Sequence, residues 1–279
     1  MSQLISPAEL KNLQRTHQPI ILDCRSDLTD KALSRQWFRE GHIPGAQQAH
    51  LEEDLSGPII PGQTGRHPLP DPEVFSETLR RWGVTHETPV IVYDQGNGMF
   101  AARAWWMMKW VGLNDVRVLN GGLKRWLDEG GELTQAETTR APSDDHFEPD
   151  MNRVVDADRL LSETGSHRLL DARALTRYRG DEEPLDSKAG HIPGADNADF
   201  TRNLQADGAF LEKNALFNRF ASLANHDVIC YCGSGVTACH NILAITEAGL
   251  PMPKLYPGSW SEWITNSNHP IATGEEGVI

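Results

Sequence analysis

The chemistry of this chain is densest in the segment Val228-Ile229-Cys230-Tyr231-Cys232-Gly233-Ser234-Gly235-Val236-Thr237-Ala238-Cys239-His240. An apolar, β-favouring run leads straight into Cys232, and glycines at 233 and 235 permit a sharply bent loop. Apolar residues at helical spacing then predict a helix from about Val236 to Ala248. Such a loop can aim successive backbone N–H groups at one point, and the helix that follows presents its positive end there. A cysteine at the centre of that cradle is expected to be a thiolate, the nucleophilic form. The expected anion cradle is Gly233, Ser234, Gly235, Val236 and Thr237.

A thiolate among amide donors suits more than one reaction. Phosphatases with a related loop clamp phosphate with an arginine six positions after the cysteine, where this chain has Ala238. A dithiol site needs Cys-x-x-Cys, whereas the neighbours here are Cys230, two positions before, and Cys239, seven after. Neither spacing fits, and a zinc site from these thiols is equally unsupported. Cys230 and Cys239 read as core residues of the strand and the helix.

The elements that must position this loop occur twice. The first half reads Ile21-Leu22-Asp23-Cys24-Arg25, then Gly41-His42-Ile43-Pro44-Gly45-Ala46, then Val90-Ile91-Val92-Tyr93-Asp94. The second reads Leu169-Leu170-Asp171-Ala172-Arg173, then Gly190-His191-Ile192-Pro193-Gly194-Ala195, then Val228 to Cys232. Each half closes on a Gly-containing turn and a tryptophan, Trp126 and Trp263. Matched blocks in the same order mean duplication. Strand-like runs (Pro19 to Asp23, Pro89 to Asp94) alternate with helical patterns (Asp71 to Trp82, Phe100 to Val111). That alternation predicts an α/β fold with parallel pairing. The Pro-, Thr- and acid-rich stretch from about Thr134 to Asp150 reads as a linker. The expected division is therefore an N-terminal domain at 1–135, a linker at 136–150 and a catalytic domain at 151–279. The two Gly-His-Ile-Pro-Gly-Ala blocks read as turns, and the Asp-x-Arg pairs as internal ion pairs.

With the Cys-Gly-Ser-Gly-Val-Thr loop and both Gly-His-Ile-Pro-Gly-Ala blocks, the chain resembles the tandem rhodanese family over essentially its whole length. Within that family it looks most like the 3-mercaptopyruvate sulfurtransferase subfamily, since thiosulfate-preferring relatives typically carry Cys-Arg-Lys-Gly-Val-Thr. The resemblance implies two tandem rhodanese-like domains, each a parallel sheet flanked by helices, with only the second catalytic. Asp94 stands where the first half would carry its cysteine, and it cannot form a persulfide.

The resemblance further implies that Cys232 takes sulfur from a small anionic donor, 3-mercaptopyruvate or alternatively thiosulfate. The persulfide would pass its sulfur to cyanide, a low-molecular-weight thiol or thioredoxin, with no metal or organic cofactor. A non-enzymatic persulfide carrier is the reading from a different class. By the same resemblance Arg177 holds the donor's anionic group. Relatives add a second arginine where this chain reads Pro184-Leu185-Asp186-Ser187-Lys188, so Lys188 is the expected substitute. His67, in His67-Pro68-Leu69-Pro70, is expected to reach Ser234 in a proton relay completed by Glu52.

Composition narrows the partners. At 279 residues the chain suits two domains. A formal net charge of −13 and the lack of a basic stripe argue against nucleic acid. No apolar run approaches the ~18–20 residues that span a bilayer. Four cysteines in a chain this size suit thiol chemistry in a reducing cytoplasm better than a disulfide scaffold. The N-terminal sequence reads as a capped helix opening at Ser6-Pro7-Ala8-Glu9, not as an export signal.

Overall fold

The computed structural model describes residues 2–279 apart from Thr164 and Glu276. They form two compact units that do not follow chain order alone. The first comprises Met1–Gly57, Pro70–Asp150 and Ala206–Phe210; the second comprises Pro58–Leu69, Met151–Gln205 and Leu211–Ile279. The Pro-rich stretch expected as a linker packs within the first unit. There the Arg140 guanidinium donates to the carbonyls of Gln18 (3.1 Å) and Pro19 (2.8 Å), and Phe147 is buried.

In the first unit, strands β1 (Leu4–Ile5), β2 (Ile20–Asp23), β3 (Ala46–Gln48), β4 (Val90–Tyr93) and β5 (Val116–Leu119) form one parallel sheet in the order β1-β5-β4-β2-β3. The central strands are buried at every position, as a sheet covered on both faces requires, and this is why Ile-Ile-Leu and Val-Ile-Val run without polar alternation. The helix Pro7–Thr16 opens with a capping box: Ser6 Oγ accepts from Glu9 N–H, and the Glu9 carboxylate accepts from Ser6 N–H at 2.8 Å. Helix Met99–Trp110 is buried along nearly its whole length, so its tryptophans are core residues.

In the second unit, β6 (Arg168–Asp171), β7 (Ala195–Asn197), β8 (Val228–Tyr231), β9 (Lys254–Leu255) and β10 (Gly277–Val278) run in the order β10-β7-β6-β8-β9, again all parallel. Four strands, β9-β8-β6-β7, repeat the β5-β4-β2-β3 order of the first unit, and the fifth strand joins the opposite edge. On the edge that β1 occupies in the first unit, only a Val154–Leu255 bridge remains.

The duplicated motifs fold alike. Asp23 and Asp171 each pair with the arginine two residues on (Arg25, Arg173) at 2.6 Å, and that guanidinium also donates to Gly41 O or Gly190 O at the start of the Gly-His-Ile-Pro-Gly-Ala turn. His42 and His191 stack on Phe38 and Tyr178, each with ring centroids 3.8 Å apart. These are packing roles. Burial pulls the Arg173 guanidinium down, and Asp171 more than offsets that, holding its pKa above the ordinary value. Removing either partner of such a buried pair strands a charge, at about 3–5 kcal/mol.

Candidate active site

β8, which lies between β6 and β9, delivers Cys232 to its carboxyl end, where the loop Gly233–Val236 turns into helix Thr237–Glu247. Cys232 is 2% exposed. Its backbone is fixed from three sides: its N–H donates to Ser259 Oγ (3.1 Å), its carbonyl accepts from Trp260 N–H (2.9 Å), and the Gly233 carbonyl accepts from Ser261 N–H (2.9 Å).

Gly235 N–H donates to Cys232 Sγ at 3.1 Å. Gly235 takes φ +80°, and a Cβ there would stand 2.5 Å from the Pro257 carbonyl, so only glycine bends the loop this way. Its carbonyl accepts the Cys239 S–H at 3.3 Å, which steadies the residue that supports the thiol. Among the described residues, the amides of Gly233, Ser234 and Val236 have no hydrogen-bond partner in the protein, leaving three loop donors for an anion. Cys24, Cys230 and Cys239 are buried free thiols. Burial pushes Cys24 and Cys230 well up, so neither competes as a thiolate.

The segment Pro58–Leu69 lies against this loop. Gly65 packs where a Cβ would meet the Gly258 carbonyl at 2.5 Å and Ser261 Oγ at 2.7 Å, and Arg66 N–H donates to Ser261 Oγ at 3.1 Å. That contact sets His67 Nδ1 at 2.8 Å from Ser234 Oγ. The same segment presents Arg66, which the sequence reading passed over. Arg66 pairs with the buried Asp186 carboxylate, and Asp186 also accepts from Arg177 Nη2 at 3.2 Å. Arg177 is further held by Glu183, at 2.7 Å through Nη2. Burial draws the Arg66 guanidinium below its ordinary pKa. A cleft of about 260 Å³ lined by Thr64, Gly65, Arg66, Asp186, Ser187 and Ser261 opens beside this group.

Of the expected site residues, the second unit brings together Cys232, Ser234, His67, Arg177 and the glycine loop. Lys188 engages through its carbonyl, which accepts Trp260 Nε1–H at 2.8 Å; its ammonium makes no hydrogen bond or ion pair among the described residues. Glu52 belongs to the first unit, where it faces Lys31 at 4.0 Å. Besides Arg66, the reading missed Ser259, whose signal was its place in the repeated turn block.

A larger cleft, about 770 Å³, lies in the first unit beside the Gln95–Phe100 stretch. The loop behind it is already filled: the Asp94 carboxylate accepts from the amides of Gly96, Gly98, Phe100 and Ala101. Among the described residues no cysteine lines this cleft, and the Asp94 carboxylate occupies the amides behind it, so it is a poor candidate for thiol chemistry. Among the described residues no group of three or more His, Cys, Asp or Glu side chains is placed to hold a metal ion, and no helix is long and apolar enough to cross a membrane.

The profile of the Rhodanese-like domain matches residues 6–129 and 154–266. A Pseudomonas aeruginosa protein described as "Probable 3-mercaptopyruvate sulfurtransferase" is 46% identical over 281 residues, covering 98% of this chain and 99% of its own. The 3-mercaptopyruvate sulfurtransferase of Escherichia coli K12 is 36% identical over 250 residues, 85% of each chain. Among solved structures, the 3-mercaptopyruvate sulfurtransferase from Leishmania major superposes with a TM-score of 0.83 at 29% identity, covering 94% of this chain and 74% of that one.

Proposed function

The chain belongs to the rhodanese family in two tandem copies and is a sulfurtransferase, and from that premise we propose that Cys232 accepts sulfur from 3-mercaptopyruvate and passes it on as a persulfide. The observation that carries the reading is a single cysteine at the mouth of a loop with unpartnered amides, flanked by two arginines and a Ser-His contact.

The Cys232 thiolate attacks the donor sulfur, forming an S–S bond as the C–S bond breaks and its electron pair stays on carbon as pyruvate enolate. The thiol proton is passed to that carbon, giving pyruvate and the Cys232 persulfide anion. Ser234 Oγ and His67 Nδ1, 2.8 Å apart, can carry that proton. Loop amides stabilise the anionic outer sulfur, and one such donor is worth about 3 kcal/mol where it has been measured. An acceptor nucleophile, such as cyanide, a small thiol or a thioredoxin-like dithiol, then attacks the outer sulfur and restores the thiolate.

Charge favours this donor over thiosulfate. Three arginines (Arg66, Arg173, Arg177) are interleaved with three carboxylates (Asp171, Glu183, Asp186), so the group is internally neutral and suits one added negative charge better than two. The free thiols suit a reducing compartment such as the cytoplasm. Steady-state kcat/KM with each donor and cyanide as acceptor tests the reading. 3-Mercaptopyruvate should lead by at least tenfold; a lead for thiosulfate would reassign the donor.

A further inference from the structure

Two guanidinium groups converge on Gly233, the residue next to the nucleophile. A Cβ built on Gly233 would stand 2.9 Å from Arg66 Nη2 and 3.5 Å from both Nη1 and Nη2 of Arg177. Glycine at 233 therefore leaves the space into which Arg66 reaches. Each arginine is anchored by its other nitrogens, Arg66 through Nη1 to Asp186 and Arg177 through Nε and Nη2 to Glu183 and Asp186. Of the three nitrogens nearest Gly233, Arg66 Nη2 and Arg177 Nη1 have no hydrogen-bond partner among the described residues, while Arg177 Nη2 is bonded to Glu183 and Asp186. Planar guanidiniums held at one end and open at the other are suited to a carboxylate, which takes an N–H from each.

We propose that Arg66 is the second arm of the donor site, its Nη2 and Arg177 Nη1 together binding the donor's carboxylate across Gly233. This rests on the reading of the donor as a thiol bearing one carboxylate, and it assigns to Arg66 the part that the resemblance suggested for Lys188. Asp186, shared by both guanidiniums, sets their spacing. Because Arg66 sits next to His67 on one segment, carboxylate binding and the Ser234 contact are positioned by the same few residues.

The test uses the full chain and two probes of nearly equal size, iodoacetate and iodoacetamide, of which only the first carries a carboxylate. Alkylation at Cys232 is followed by peptide mass. Arg66→Ala is expected to lower the iodoacetate-to-iodoacetamide rate ratio by about tenfold and to raise KM for 3-mercaptopyruvate by a similar factor with a smaller effect on kcat, the loss expected for one charge-assisted hydrogen bond. Arg66→Lys, which keeps the charge but not the fork, should fall between. If both alkylation rates change together and the ratio stays at the wild-type value in both variants, Arg66 is structural and the proposal is overturned. Wild-type protein that turns over no 3-mercaptopyruvate would defeat the donor assignment instead, while the alkylation ratio would still judge Arg66.

Discussion

Asp94 and Cys232 occupy the same point in two copies of one fold: each follows the strand that pairs with the Asp-x-Arg strand of its sheet, β4 beside β2 and β8 beside β6, and each carbonyl accepts a turn amide, Leu123 N–H or Trp260 N–H, at 2.9 Å. The first loop closes on its own carboxylate, whereas the second keeps amides open around sulfur. Burial pushes the Asp94 carboxyl up, and its four amide donors oppose this. Asp94→Asn would set an NH2 group against two of those N–H donors. We expect it to lower unfolding stability by about 3–5 kcal/mol in urea while the folded protein still loads sulfur on Cys232. A loss below about 1 kcal/mol would mean that the carboxylate does not hold the loop.

Ser259 and Gly122 make a second such pair. Both take φ +55°, and Ser259 is the one non-glycine residue with positive φ among those described. The second unit accepts this strain at a wholly buried serine, and in exchange Ser259 Oγ receives the Cys232 N–H. Ser259→Ala keeps the strain and loses the side-chain hydrogen bonds to Cys232 and Tyr256, whereas Ser259→Gly loses the same bonds and relieves the strain. Urea titration should show the alanine variant to be about 1 kcal/mol less stable than the glycine variant. The opposite order would remove the strain argument.

Glu262 supplies a pH test. Burial raises its carboxyl pKa above 4.5, and Tyr256 O–H donates to it at 3.0 Å. An acid whose pKa is raised on folding holds its proton more tightly in the fold. Its contribution to stability is therefore fully present below the unfolded pKa and lost as pH rises through the folded value. Glu262→Gln keeps an acceptor for Tyr256 without the charge. It should raise Tm at pH 7, and the gain should shrink toward zero as pH falls to about 4. A gain that does not change with pH would contradict the burial argument.

What was legible in the sequence was local. Strand ends, the Gly-His-Ile-Pro-Gly-Ala turns, the Ser6 cap and the Cys232 loop are each written in a few adjacent residues, and the duplication doubled the signal. Arg66 was not legible, because it acts through a segment from the first half of the chain that packs in the second unit, and no periodicity encodes that partnership. Lys188 was expected from the resemblance, as the stand-in for a second arginine of the relatives, and the tertiary fold employs its carbonyl. For Glu52 the sequence offered alignment and no neighbouring group to fix it, and in the first unit it faces Lys31.

The central claim is that sulfur rests on Cys232. Intact-mass analysis of the full chain after brief exposure to 3-mercaptopyruvate should show one added sulfur atom on the wild type, mapped to the Cys232 peptide and discharged by cyanide. Cys232→Ser, at equal folded content, should show none and no turnover. Sulfur carried elsewhere, or turnover by the serine variant, would contradict the account.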